Sequence, residues 1–241
     1  MQIPRSAGNM GLMNESSTPK RALVVAAHSD DEALGCGGTM AKMAREGWDV
    51  AVIFMTNGVG ARTGANEAQA RERAEAAGRA LAAVGARLLH AFDFPDNAMD
   101  SVPLLKLAQS IESVAGSFAP NLVLTHFAHD LNIDHRLVHQ AVLTAFRPMP
   151  GSPVQAVLCF EVASSTGWQS AAAPAFHPTL SIDISATFAA KLEALRCYDV
   201  EMRASPHPRS PEMVRALAAY RGSQCGKALA EAFEVQRMVL G

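Results

Sequence analysis

Two short stretches carry the residue types that hydrolytic metal chemistry needs. The first is His28-Ser29-Asp30-Asp31-Glu32 and the second is Asn132-Ile133-Asp134-His135. A histidine and a carboxylate three residues apart on a turn can share one metal ion. Adjacent carboxylates on such a turn point in different directions, so one can ligate while its neighbour stays free to take a proton. The second stretch adds another histidine and a further aspartate. Two histidines and one aspartate, with an open fourth position, make a catalytic zinc site. Zinc lowers the pKa of bound water to about 7 and polarises a carbonyl oxygen. A carboxylate beside that water takes its proton. Each stretch alone reads more readily as a solvated surface turn or a helix N-cap. The two together, each following an apolar run, read as one site. The same donors can hold iron, cobalt or manganese.

The elements that must position these residues follow from apolar patterning. Residues 22–27, 49–56, 87–94, 121–125, 154–162 and 180–184 read as strands, mostly short continuous apolar runs of the kind buried in parallel sheets. Residues 39–46, 67–84, 102–118, 137–146, 187–202 and 211–238 read as helices, with residues 35–38 a glycine-rich loop before the first. Strand–helix alternation predicts a Rossmann-like α/β fold: three layers around a mostly parallel central sheet. The first four strands end in polar clusters, HSDDE, TNG, FPDN and HFAHDLNIDH. Open parallel sheets bind ligands outside the carboxyl ends of their strands, so these clusters are expected to converge there. Residues 1–20 read as a disordered tail rich in Gly, Ser, Asn and Pro, and 21–241 as a single domain.

Composition narrows the function classes. The chain has 241 residues, 49% hydrophobic and 18% charged, which argues against a disordered protein. With 21 basic and 23 acidic residues the net charge is −2, leaving no electrostatic footprint for nucleic acid and no polybasic membrane patch. No run approaches the roughly 20 apolar residues of a membrane span, and the opening segment has no apolar h-region. Cys36, Cys159, Cys197 and Cys225 are widely spaced, without a C-x-x-C pair, and read as free thiols. A cytoplasmic protein with a small-molecule ligand is expected. A homo-oligomer is compatible with the sequence.

The stretch AAHSDDEALGCGG resembles the A-H-P-D-D-E signature of the LmbE-like, or PIG-L, zinc-dependent N-deacetylases. Residues 130–135, DLNIDH, are similar to the family's H-x-D-H motif with its preceding aspartate. TNG after the second strand, Arg73 with Glu75, and Pro95 to Asn97 extend the likeness over residues 21–145. The resemblance implies a hydrolase that removes acetyl from N-acetylglucosamine-type sugars. It implies zinc on His28, Asp31 and His135, and Asp30 as the base that activates water. It further implies that Asp134 orients the ligand shell and that Arg73 faces the cleft to hold substrate or the aspartates. Two positions depart from the pattern. Ser29 replaces a proline, and Asn132 stands where many members have a histidine. Asparagine can donate to an oxyanion but cannot deliver a proton. Asp30, His126, His129 or His207 would then return the proton.

Further substrate contacts are expected from the residues themselves. His207 and Arg209 lie on the proline-fixed loop SPHPRS and can reach the cleft, as can His129 after the fourth strand. Trp168 can stack on a sugar ring. Two rival readings remain: a metal-binding member without catalysis, suggested by Asn132, and a Rossmann-type nucleotide binder, suggested by Gly35-Cys36-Gly37-Gly38. The second is weakened because Met40 stands where the G-x-G-x-x-G fingerprint needs its last small residue.

Overall fold

The computed structural model describes residues 20–58 and 67–239. The expected tail, apart from Lys20, and the polar loop at 59–66 lie outside the described residues. Seven strands form one sheet in the order β3-β2-β1-β4-β5-β7-β6. They are β1 (Arg21–Ala26), β2 (Asp49–Phe54), β3 (Arg87–Ala91), β4 (Leu122–His126), β5 (Ala156–Phe160), β6 (Leu180–Asp183) and β7 (Ala230–Met238). The first five run parallel, and β7 runs antiparallel to both β5 and β6. The mostly parallel α/β fold expected from the sequence is therefore present.

Strict alternation along β1 divides the core in two. Ala22, Val24 and Ala26 face one layer, while Leu23 and Val25 face the other, joined by Ala27 just past the strand. The first layer packs under α1 (Asp31–Arg45), α2 (Glu67–Ala83), α6 (Phe188–Cys197) and α7 (Pro211–Ser223). The second packs under α3 (Leu104–Phe118) and α4 (Ile133–Ala145). A short helix, α5 (Ala163–Thr166), follows β5.

Strand order reverses between β1 and β4. Chain leaving β1 turns one way toward β2, and chain leaving β4 turns the other way toward β5. The gap between those departing connections is where open α/β sheets bind ligands. His28 and Asp31 follow β1, and His135 follows β4.

Two expectations are corrected. Residues 211–238 are not one helix: α7 ends at Ser223, a turn through Gly226 at φ 72° follows, and β7 begins at Ala230. Residues 35–38 are not a loop either. They lie inside α1, which starts at Asp31 and is bent at Cys36 (φ −143°, ψ 21°). These glycines serve close packing. A Cβ on Gly35 would run into the Phe160 ring, and one on Gly38 would lie 2.8 Å from Ile184. Core packing therefore accounts for these glycines, and the nucleotide-binding reading is not favoured.

This packing gives a paired prediction. Gly35→Ala gains helix propensity of at most about 1 kcal/mol but overpacks a buried ring, at a cost of about 1–3 kcal/mol. Gly78 sits exposed in α2, where a Cβ would meet nothing within 4 Å. Denaturant unfolding is expected to show Gly35→Ala destabilised and Gly78→Ala stabilised. Equal shifts in both would refute the packing argument.

Candidate metal centre and cleft

The turn after β1 is held in an unusual shape. Asp30 has φ 134°, a conformation costly for any side chain other than hydrogen. Its backbone N–H donates to Glu32 Oε2 at 3.0 Å, and its carbonyl accepts from Leu34 N at 2.9 Å. Glu32 is pinned in turn by the Tyr198 hydroxyl, which donates to Oε1 at 2.7 Å. Burial pushes the Glu32 carboxyl up to about 7, against these hydrogen bonds. The strained turn splits the acidic pair, as adjacency in sequence suggests. Asp31 turns in toward the histidines, and Asp30 turns toward two arginines.

Asp31 is fully buried. Its Oδ2 lies 3.2 Å from His28 Nδ1 and 3.2 Å from His135 Nε2. Burial works to raise the Asp31 pKa, but His135 and His28 hold it well below the usual carboxylate range. Burial likewise opposes charge on His135, yet Asp31 and Asp130 lift it to about 9. His28 is raised well above its ordinary value by Asp134, Asp31 and Asp96, again against burial. The hollow is so rich in carboxylates that both imidazoles are driven toward carrying positive charge.

That charge demand fits a cation. The ligand atoms of His28, Asp31 and His135 lie within 4.8 Å of one another. Asp31 Oδ1 and His135 Nε2 are buried and make no hydrogen bond among the described residues. A second grouping, His28 with Asp96 and Asp134, shares one ligand. It is the poorer candidate, because both Asp134 oxygens already accept backbone N–H groups. Oδ2 takes Asn97 at 2.6 Å and Oδ1 takes Met99 at 3.0 Å. A donor set of two imidazoles and one carboxylate suits zinc.

Around this centre every imidazole is aimed by a neighbour, as metal-binding histidines usually are. Asp134 Oδ2 faces His28 Nε2 at 3.1 Å. Asp130 Oδ1 faces His135 Nδ1 at 3.2 Å, while its Oδ2 accepts from Thr166 Oγ1 at 2.6 Å and from Ser165 Oγ at 3.0 Å. Asn132 caps α4, accepting from Asp134 N at 2.8 Å, and its Nδ2 donates to Asn97 Oδ1 at 2.9 Å. His126 is fully buried beneath the centre, stacked on His135 at 3.9 Å. Burial holds its pKa well below the ordinary value.

Asp30 occupies the other side of the turn. Its Oδ2 accepts from Arg209 Nη1 at 2.9 Å, and its Oδ1 lies 3.6 Å from Arg73 Nη2. Burial pushes its carboxyl up to about 6, with the two arginines pulling down and Asp31 adding to the rise. Arg73 also donates to Ser29 Oγ at 2.8 Å, to the Ser29 carbonyl and to Glu201. Gly58 makes room for it: at φ 69°, a Cβ there would sit 3.0 Å from Arg73 Nε.

These groups open onto a cleft of about 460 Å³, lined among others by His28, Asp30, Arg73, Asn132, His135, Trp168 and Arg209. The structure thus gathers most of the residues singled out in the sequence. Asp31 and Asp134 lie just beneath the cleft wall. His207 does not line the cleft; it stands edge-on to Trp168 at 5.3 Å. His129 does not join them: it is exposed and edge-on to Phe127. The sequence reading gave no part to Asp96, Ser165, Glu201 or the Glu32–Tyr198 pair. Asp96 was at least visible in the PDN turn after β3. Glu201 and Tyr198 carried no local signal, because their partners are more than 100 residues away.

Comparisons with known proteins bear on the fold and the family. The profile of the PIG-L family, described as GlcNAc-PI de-N-acetylase, matches residues 23–146, just over half of the chain. The diacetylchitobiose deacetylase of Thermococcus kodakarensis is 26% identical over 225 residues, spanning 88% of this chain and 81% of that protein. The N,N'-diacetylchitobiose deacetylase of Pyrococcus horikoshii shares the fold with a TM-score of 0.72 at 18% identity, over 90% of this chain and 84% of that one. The 4-carboxy-2-hydroxymuconate hydratase of Pseudomonas putida superposes with a TM-score of 0.69 at 25% identity, over 92% and 98%. With the profile falling on the very segment that supplies His28, Asp31 and His135, the chain belongs to the PIG-L family of de-N-acetylases, hydrolases that cleave an amide carbon–nitrogen bond.

Proposed function

We propose that the protein is a zinc-dependent deacetylase of an N-acetylated amino sugar of the N-acetylglucosamine type. The observation that carries this reading is the buried His28–Asp31–His135 centre with unsatisfied ligand atoms and a separately held carboxylate, Asp30, beside it. Zinc on those three residues would act as a Lewis acid and lower the pKa of bound water to about 7.

Asp30 takes the proton of the attacking water. Its pKa of about 6 lies close enough to neutrality to accept a proton and release it again. Asp30 then delivers that proton to the departing amine, the task that a histidine at position 132 would otherwise share. Asn132 has one amide hydrogen engaged with Asn97; the other would donate to the amide oxygen and stabilise its developing charge. Arg73 fixes Asp30 from behind by bracing the Ser29 backbone. Arg209 and Trp168 frame the entrance, where hydroxyl groups and a sugar face would lie. His126, buried with a depressed pKa, and the outlying His129 have no part in this proton path. A cytoplasmic location suits four cysteines that are all free thiols.

The resemblance to a hydratase supplies a second reading, in which the same activated water adds to a carbon–carbon double bond. One assay separates the two. The zinc-loaded protein is expected to release acetate and a free amine in equal amounts from N-acetylglucosamine derivatives. Absence of both products across a panel of free, glycosidic and nucleotide-linked sugars would refute the deacetylase reading.

A further inference from the structure

A second groove adjoins the catalytic cleft, and the two share a wall. Trp168 lines both. Beyond it lies a concavity of about 400 Å³ formed by Trp168, Pro208, Met213, Ala216, Leu217 and Tyr220. Four of these residues belong to α7 and recur at i, i+3, i+4 and i+7, the spacing of one helical face. The sheet does not use that face: α7 buries Val214, Ala218 and Gly222 against the core instead. The helix therefore has two apolar stripes, one of which is left toward solvent. Trp168 is 53% exposed, Met213 39% and Tyr220 57%. Neighbours nonetheless hold these rings in place. Trp168 stands edge-on to His207 at 5.3 Å, and the Arg221 guanidinium lies 5.4 Å from the Tyr220 ring.

We infer that this groove is a subsite for an apolar group, alkyl or aryl, attached to the amino sugar whose acetamide is cleaved. The inference rests on the deacetylase reading and adds the chemistry of the substrate's far end. Continuity through Trp168 is the reason for assigning the groove to substrate. A sugar seated against the cleft face of that indole projects its substituent along α7. Size points the same way. A self-association interface buries about 800 Å² per partner, whereas this hollow matches a chain of several methylenes or one ring.

The test uses the full-length zinc-loaded protein and N-acetylglucosamine glycosides with methyl, butyl and hexyl groups. Acetate release is expected to rise in kcat/KM about tenfold from methyl to hexyl, an open-sided fraction of full methylene burial. In Met213→Asp and Tyr220→Asp, both altered at exposed positions, the hexyl-to-methyl ratio is expected to fall to about one with zinc content unchanged. Hexyl glucoside has no acetamide and reports on the groove without chemistry. It is expected to change Trp168 fluorescence, with the signal lost in Trp168→Phe. Acetate release with a flat chain-length series would overturn the groove and leave the deacetylase reading intact. Hexyl glucoside binding without acetate release from any glycoside would support the groove and overturn the deacetylase reading. A dimer in sedimentation that Tyr220→Asp dissociates, with the chain-length series unchanged, would overturn the assignment in favour of self-association.

Discussion

Replacing Asp30 with asparagine is expected to lower acetate release by about 10²–10⁴-fold, the range typical of a lost general base, while zinc stays stoichiometric. Asparagine is the right replacement for a physical reason. At φ 134° the backbone is strained, and asparagine and aspartate tolerate positive φ better than other side chains with a Cβ. Alanine would confound a catalytic loss with a distorted turn. Asparagine keeps the shape and removes only the capacity to accept a proton from water. Arg209 and Arg73 still face an oxygen, though an uncharged one, and Asp31 points away toward the histidines. Metal analysis and turnover must therefore part company in this variant. Full activity would remove Asp30 from the proton path. Loss of zinc along with activity would make Asp30 part of the metal shell and undo the division of labour between the adjacent aspartates.

The second large effect is on metal retention. His135→Ala removes one of the three ligands and leaves Asp31 and Asp130 facing a vacated position. Sub-stoichiometric zinc and acetate release at background are expected. A thermal readout checks the same point without turnover. A ligand that binds only the folded state at a hundredfold excess over its Kd stabilises by about 2.7 kcal/mol. The wild-type protein is expected to melt higher on zinc addition, and His135→Ala to be unmoved by it. Stoichiometric zinc in His135→Ala would refute the ligand set and favour the grouping through Asp96 and Asp134.

The described residues up to 146 were largely legible because their chemistry is local. Continuous apolar runs marked the buried strands, and the polar clusters after them marked the ligand-binding ends. His28, Asp31 and His135 stood out because two such clusters, each directly after a buried run, occur together. Legibility failed where a long-range contact decides. Alanine, arginine and glutamate after Pro211 favour helix, so the pattern ran on to residue 238. Yet Gly226 ends the helical run, and residues 230–238 form a strand because β5 and β6 pair with them on either side. The glycines of α1 read as loop because nothing nearby showed that Phe160 and Ile184 would close on them. Glu201 and Tyr198 were silent for the same reason. Their meaning comes from Arg73 and Glu32, which only the fold brings near.

The three candidate metal ligands all lie within the first 135 residues, whereas the groups that brace Asp30, Glu32 and Arg73 from outside the turn come from beyond residue 197. Tyr198 braces Glu32, Glu201 engages Arg73, and Arg209 grips Asp30 itself. A chain emerging from the ribosome presents His28, Asp31 and His135 before residues 198–209. Residues that shape the base are made last, along with the final strand that β5 and β6 must wait for. The shape of the acidic turn after β1 is thus completed only by residues that the chain supplies more than 160 positions later.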